Sequence, residues 1–284
     1  MTVAQALRDA AARLAAGSDT ARLDAEVLMA HALGVSRSDV LLRHMGDAAP
    51  AGFAALVERR LGHEPVAYIT GQLEFFGLPF QVSAAVLIPR GDSEVLVEQA
   101  LAQAPAHARV LDCGTGSGAL LLAVLANLAD ASGVGIDRSP QALAVAQANA
   151  EALGLAARTR MVAADWDVPG WADVLGGPFD LVLANPPYVE DAADLAPSVR
   201  EHEPAGALFA GAEGLDAYRS LIPQLPRLLA PDGRALVEIG HAQAPAVTEI
   251  ANRAGLTASL HHDLGGRPRV LELKIPLGKA DGSA

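Results

Sequence analysis

From residue 108 onward, short apolar runs alternate with longer runs of helical period. The segments Ala108 to Cys113, Gly133 to Asp137, Thr159 to Ala163, Phe179 to Ala184 and Ala235 to Ile239 have the length and near-continuous apolarity of strands buried on both faces. Between and after them, Ala119 to Ala129, Pro140 to Leu153, a stretch around Leu215 to Leu229 and another near Ala244 to Ala254 carry helical patterns. This alternation predicts an α/β fold with a doubly wound, mainly parallel sheet. The closing runs near Leu256 to His261 and Arg269 to Lys274 leave no room for a long helix between them, which predicts an antiparallel hairpin at one edge.

Residues 2 to 62 read differently, as short amphipathic helices punctuated by turn signals. Ser18-Asp19-Thr20 precedes a helical run at Ala21 to Leu33, Gly34 follows it, and Ser38-Asp39 opens another. Phe75, Phe76, Phe80 and Val82, set around Gly77 and Pro79, predict a short hairpin. The expected organisation is a small helical domain at 1–70, a hairpin linker at 71–88 and a sheet domain at 89–284.

Composition narrows the function classes. With 284 residues and 51% hydrophobic content, the chain can bury one large core and a smaller one. The longest apolar stretch, Ala119 to Ala129, is about half of what a membrane-spanning helix needs, and Met1 to Ala16 carries acid and base on a helical period. Neither a membrane segment nor a signal peptide is expected. The single cysteine, Cys113, excludes an intrachain disulfide and a cysteine-cluster metal site, as expected for a reducing, cytoplasmic setting. Cys113 itself reads as a packing residue, and the adjacent His261-His262 point to opposite faces of a strand, so no metal site is expected. The net charge is -12, with the excess of acid concentrated after residue 85. A protein that grips phosphate backbones needs basic surface, so stable nucleic-acid binding is not expected.

The chemistry-bearing residues sit at predicted strand ends. Asp112-Cys113-Gly114-Thr115-Gly116-Ser117-Gly118 lies between a strand and a helix, where glycines let the backbone turn tightly around a ligand. Gly114, Gly116 and Ala119 also fit a dinucleotide fingerprint, so the loop alone does not separate NAD from S-adenosylmethionine. Asp112 favours the latter, because a carboxylate before the first glycine repels a pyrophosphate but suits a cationic amino acid tail and sulfonium. Asp137, ending the next apolar run, can accept hydrogen bonds from both ribose hydroxyls, or it can cap the helix after Pro140. Asn185-Pro186-Pro187-Tyr188 follows Phe179 to Ala184. Two successive prolines stiffen this turn and present the Asn185 amide and the Pro186 carbonyl as acceptors for a planar NH2 group. It is also an ordinary strand-ending turn by composition.

Several separated blocks together resemble the protein-(glutamine-N5) methyltransferases of the HemK/PrmC family, which modify peptide chain release factors. They are Asp24-Ala25-Glu26, Glu64-Pro65 through Gly71, Glu74-Phe75-Phe76-Gly77, Ile88-Pro89-Arg90 with Asp92-Ser93-Glu94, Asp112 to Gly118, Asp165-Trp166, Asn185 to Tyr188, Glu203-Pro204, Gly214-Leu215, Tyr218-Arg219, Asp263 to Gly265 and Arg269-Val270. The glycine loop and the Asn-Pro-Pro-Tyr turn are widespread among methyltransferases, whereas the helical leader joined to the Ile-Pro-Arg segment is specific. The resemblance implies a sheet of the class I S-adenosylmethionine methyltransferase type. In it Gly114 to Gly118 bound the methionine part of the cofactor, Asp137 holds the ribose, Trp166 lies against the adenine, and Asn185 touches cofactor and substrate. Arg90 and Glu94 are expected to shape the same pocket. Cys113, Gly91 and Pro268 depart from the family pattern, where Leu, Pro and a polar residue are usual. Gly91 raises the question of cofactor affinity.

An amide nitrogen is a poor nucleophile that no ordinary side chain deprotonates. The expected mechanism is therefore orientation: the Asn185 oxygen and the Pro186 carbonyl take the two amide hydrogens, Tyr188 walls the slot, and the proton leaves after methyl transfer. Pro187 completes the substrate-binding turn. The partner implied is a release factor docked by the helical domain, with the enzyme a monomer. An exocyclic base amine of RNA or DNA would suit the same turn and is the alternative substrate. A cofactor-binding subunit without catalysis is the third reading.

Overall fold

The computed structural model describes residues 1–276. The last eight residues of the expected sheet domain, 277–284, lie outside the described residues. The chain forms two compact units. One comprises Met1–Leu73, Val82–Ala84 and Leu195–Glu203; the other comprises Glu74–Gln81, Ala85–Asp194 and, among the described residues, 204–276.

The first unit is helical. Helix α1 (Val3–Leu14) opens with a capping box in which Thr2 Oγ1 accepts from the Gln5 amide and Gln5 Oε1 accepts from the Thr2 amide. Its Val3, Ala6, Leu7, Ala10 and Leu14 recur at helical spacing and pack with Leu28, Met29, Phe53 and Val57. Helix α2 (Ala21–Leu33) stops at Gly34, whose φ of +66° lies in the left-handed region favoured by glycine. Then come α3 (Arg37–Asp39), which runs into one π-helical turn, α4 (Phe53–Leu61) and α5 (Val66–Thr70). The early acidic pair is structural: buried Asp24 accepts from Arg60 at 2.8 Å, and buried Glu26 accepts from Arg22 at 2.5 Å and Arg37 at 2.8 Å. The segment Leu195–Glu203, remote in sequence, completes this unit, and its His202 Nε2 donates to the Gly62 carbonyl at 3.1 Å.

The second unit carries the predicted sheet. Strands β1 (Gln72–Phe75) and β2 (Leu78–Gln81) form a separate two-stranded sheet. Helix α6 (Glu94–Gln103), which the hydrophobic pattern does not announce, precedes β3 (Arg109–Cys113), α7 (Ala119–Asn127), β4 (Ser132–Asp137), α8 (Pro140–Ala152) and β5 (Thr159–Ala163). After β6 (Phe179–Ala184) and the short α9 (Pro197–Arg200) of the first unit come α10 (Asp216–Leu221), β7 (Leu229–Glu238), α11 (Ala244–Arg253), β8 (Thr257–His262) and β9 (Pro268–Lys274). The helix expected to reach Leu229 breaks after Leu221 into a 3-10 segment containing Pro223 and Pro226, because proline lacks the amide that an α-helical interior requires.

The seven strands lie in the order β5-β4-β3-β6-β7-β9-β8. Pairings from β5 through β7 are parallel, while β9 is antiparallel to both β7 and β8. The expected C-terminal hairpin is therefore present, with its second strand inserted next to β7 and its first at the edge. Chain order reverses between β3 and β6, the switch point at which open α/β sheets place ligands beyond the strands' carboxyl ends. Helix α7 is buried from Ala119 through Leu125, and β4 makes room for it: a Cβ on Gly133 would lie 2.5 Å from Leu121 Cδ1.

Candidate active site

A cleft of about 460 Å³ lies at the switch point and is lined by residues from the second unit alone, within the size range of small-molecule sites. Three strand ends supply it. The loop after β3 contributes Gly114, Thr115, Gly116 and Ser117, the end of β4 contributes Asp137, and the turn after β6 contributes Asn185 and Pro187. Trp166, two residues beyond Ala164, lines the same space.

The glycine loop is built mainly from backbone. Gly114 and Gly116 have φ of +76° and +55°, and the Gly114 and Thr115 amides both donate to the Ile136 carbonyl, at 2.9 and 2.8 Å. A Cβ on Gly114 would lie 3.3 Å from the Trp166 ring, so the indole rests against bare backbone. Asp137 Oδ2 accepts from the Gly116 amide at 3.0 Å and Oδ1 from the Ser139 amide at 2.9 Å, which locks the carboxylate at the cleft. The helix-capping part weighed for Asp137 falls instead to Ser139, whose Oγ accepts from the Ala142 amide at 3.2 Å, and the Asp137 carboxylate keeps lone pairs beyond the two amides it accepts from. From the side, the buried Asn149 amide donates to the Ser117 carbonyl at 2.9 Å and accepts from the Gln81 amide at 2.7 Å.

Asp112 sits beneath this loop and is fully buried rather than part of the cleft lining. Its Oδ2 accepts from Thr115 Oγ1 at 2.7 Å, while Oδ1 is buried without a hydrogen-bond partner. Burial pushes the carboxyl up to about 7, with the nearby Asp137 charge adding to the rise. An orphaned carboxylate oxygen under a glycine loop fits a ligand that brings positive charge and fits a pyrophosphate poorly. Cys113 is buried and burial pushes its thiol well above its ordinary value, so it is a packing residue and not a nucleophile. Gly118 turns the chain into α7 at φ +81° and is not among the cleft residues.

The turn after β6 depends on side chains from elsewhere. Asn185, which lines the cleft, donates from Nδ2 to the buried Ser93 hydroxyl at 3.4 Å, which leaves Oδ1 as the amide's acceptor. Tyr188 Oη donates to Glu238 Oε1 at 3.4 Å, and its carbonyl accepts from Gln243 Nε2 at 3.1 Å. Burial, aided by the Glu238 charge, pushes the Tyr188 phenol up to about 12, so it stays a hydrogen-bond donor at neutral pH. Of the four residues of this turn, Asn185 and Pro187 line the cleft, whereas Pro186 and Tyr188 do not. Glu94, expected in the pocket, instead accepts from the Phe76 amide at 2.9 Å and so fixes the β1–β2 turn.

Ser93 and Glu238 were not among the expected site residues. Glu238 nevertheless carries the signal that marks Asp112 and Asp137, a carboxylate at the carboxyl end of an apolar strand. A further wall of the cleft, formed by Pro204, Gly206, Ala207, Phe209 and Ala210, also goes beyond those residues, and Arg138 ties to it by donating to the Gly206 carbonyl at 3.0 Å.

Among the described residues no cluster of His, Cys, Asp and Glu could hold a metal ion, and no helix is long and apolar enough to cross a membrane.

Comparison with known proteins matches residues 5–71 to the PrmC N-terminal domain and residues 105–262 to a methyltransferase domain. A release factor glutamine methyltransferase of Bradyrhizobium diazoefficiens is 42% identical over 286 aligned positions, covering 96% of this chain and 95% of that protein. One from Cereibacter sphaeroides is 43% identical, covering 97% and 99%. Among solved structures, a methyltransferase from Pyrococcus furiosus shares the fold at a TM-score of 0.52 and 15% identity, covering 76% of this chain and 95% of that one.

Proposed function

Since the chain belongs to the release factor glutamine methyltransferase family, we propose that it transfers a methyl group from S-adenosylmethionine to the side-chain amide nitrogen of a glutamine in peptide chain release factors. The observation that carries this reading is the placement of Asn185: its amide nitrogen is engaged by Ser93 and its oxygen is left for a ligand, in the same cleft that Asp137 and the glycine loop line.

The cofactor supplies, when bound, an electrophilic methyl group on a sulfonium. Gly114 to Ser117 would hold its methionine part, with the Asp112 carboxylate beneath the loop favouring positive charge. Asp137 would accept from the ribose hydroxyls, and the Trp166 ring would offer a flat apolar face to the adenine. Asn185 Oδ1 accepts one hydrogen of the glutamine amide, and the Pro186 carbonyl, outside the cleft lining but next along the turn, would take the other as the substrate enters. That fixes the nitrogen's direction and favours the positive charge that grows on it. No general base is required, because the proton becomes acidic only after the new bond has formed. Tyr188, protonated and tied to Glu238, forms the rear wall of the slot.

The helical unit is the dock for the protein substrate, since a glutamine on a loop needs more surface than a four-residue turn offers. The acidic charge balance supports a protein substrate over a nucleic acid, and the enzyme works as a cytoplasmic monomer.

Methyl transfer from labelled S-adenosylmethionine, offered separately to purified release factor and to ribosomal RNA, tests the reading. Label is expected on a release factor glutamine and is lost when that glutamine is replaced. Label on RNA alone would overturn it.

A further inference from the structure

We propose that Glu238 is the positioning residue of the acceptor turn, holding Tyr188 directly and Asn185 through Ser93. This rests on the role given above to that turn. Strands β6 and β7 pair at Ala184 and Val237, so the next residue on each strand is Asn185 and Glu238. The Glu238 side chain is 1% exposed, yet it sits at the end of a strand whose preceding positions, Ala235, Leu236 and Val237, are apolar and fully buried. Oε1 accepts from Tyr188 Oη at 3.4 Å, and Ser93 is close enough to the carboxylate to hold its pKa down against the burial that raises it. Ser93 in turn accepts from Asn185 Nδ2 at 3.4 Å. One carboxylate thus reaches both ends of a four-residue turn.

The energetics argue against a purely structural part. Oε2 is buried without a hydrogen-bond partner, and so is Nε of the neighbouring Arg269. That guanidinium is directed to Asp92 at 2.8 Å and Asp263 at 3.6 Å. A buried carboxylate with an unsatisfied oxygen is costly, and an apolar side chain of similar volume would make the strand end more stable. Burial pushes the Glu238 carboxyl above its ordinary value, with Ser93, Arg269 and Tyr188 opposing the rise and Asp92 adding to it. The group that tolerates this cost is the one that aims the Asn185 oxygen and the Tyr188 ring.

The test uses the full chain with Glu238→Ala, Glu238→Gln, Tyr188→Phe and the Glu238→Ala/Tyr188→Phe double variant. The readouts are kcat and KM for release factor, cofactor Kd, Tm, and the side-chain amide resonances of Asn185. Glu238→Ala is expected to lower kcat by ~10²-fold, the scale of a misplaced reacting group, while cofactor Kd stays within about twofold. Glu238→Gln, which keeps an acceptor oxygen, restores most of the loss. The double variant is no worse than Glu238→Ala alone, because Tyr188 acts through the same carboxylate. The Asn185 amide resonances shift in Glu238→Ala and return in Glu238→Gln. Wild-type kcat in Glu238→Ala, losses that multiply in the double variant, or unmoved Asn185 resonances would each overturn the inference. If the wild-type chain labels no release factor, the functional reading fails, and the resonances still decide whether Glu238 holds Asn185.

Discussion

The loop after β3 and the turn after β6 border one cleft from adjacent parallel strands, yet they are built on opposite plans. The glycine loop is shaped largely by itself: its amides bond to the neighbouring strand at Ile136 and to Asp137, and its positive φ angles are supplied by its own glycines. The Asn185 to Tyr188 turn has two prolines for stiffness, and residues far away in sequence hold the rest of it: Ser93 and Glu238 engage its side chains, and Gln243 donates to the Tyr188 carbonyl. A site that binds through backbone can be encoded in one motif. A site that orients a reacting amide draws its precision from the rest of the sheet.

The strongest way to break the contrast is Asn185→Ala. Removing one preorganised polar group at a developing charge costs ~10²–10³ in kcat, and cofactor Kd, read by calorimetry, is expected to rise much less than kcat falls, since Asn185 borders the cofactor cleft as well. Equal losses in kcat and cofactor binding would mean that the turn belongs to the cofactor site. On the other strand, Gly114→Ala forces a side chain into left-handed backbone at about 1–2 kcal/mol and presses on Trp166. Cofactor Kd is expected to rise by roughly 5–30-fold, with kcat at saturating cofactor little altered.

Asp112 offers a pH test. Its folded value of about 7 lies above its ordinary 3.8, so the fold retains a proton that the unfolded chain has released. The stability it contributes is fully present below about pH 3.8 and is lost as pH rises through about 7. Asp112→Asn is expected to flatten the fall of Tm across that window and to weaken cofactor binding. An unchanged Tm profile would place the titration elsewhere. The smallest effect belongs to Gly91, which has no positive φ, starts a 3-10 turn after extended Arg90, and has open space where a Cβ would lie. Gly91→Pro is expected to raise stability by about 0.4–1 kcal/mol by stiffening the unfolded chain, read as a higher Tm with cofactor Kd unchanged. A tighter Kd would show that the flexible Gly91 costs the wild type affinity.

Legibility followed the same divide. Strands β3, β4, β6 and the second half of β7 are visible because strands buried on both faces read as apolar runs, and the carboxylates ending β3 and β4 stand out against them; the edge strand β5, partly exposed along its length, is legible only as a short run between helical segments. Helix α6 is not legible, because Glu94-Val95-Leu96-Val97 buries successive apolar residues and shows no clear period. The placement of Leu195–Glu203 was equally hidden, as a four-residue helix flanked by loops carries no sign of which core it joins. Among candidate site residues, Gly114 to Ser117, Asp137, Trp166, Asn185 and Pro187 line the cleft, whereas Asp112, Gly118, Pro186 and Tyr188, read from the same motifs, do not. Ser93 and the role of Glu238 emerge only from tertiary contacts, since neither residue has a sequence neighbour that announces a partner.

The fate of Leu195–Glu203 bears on how this protein is made. The amino-terminal unit takes its last piece from a segment that leaves the ribosome only after β3, β4, β5 and β6 have been synthesised. Its completion during translation must wait for most of the sheet's strands, and a fragment ending at Leu73 would lack that piece for good.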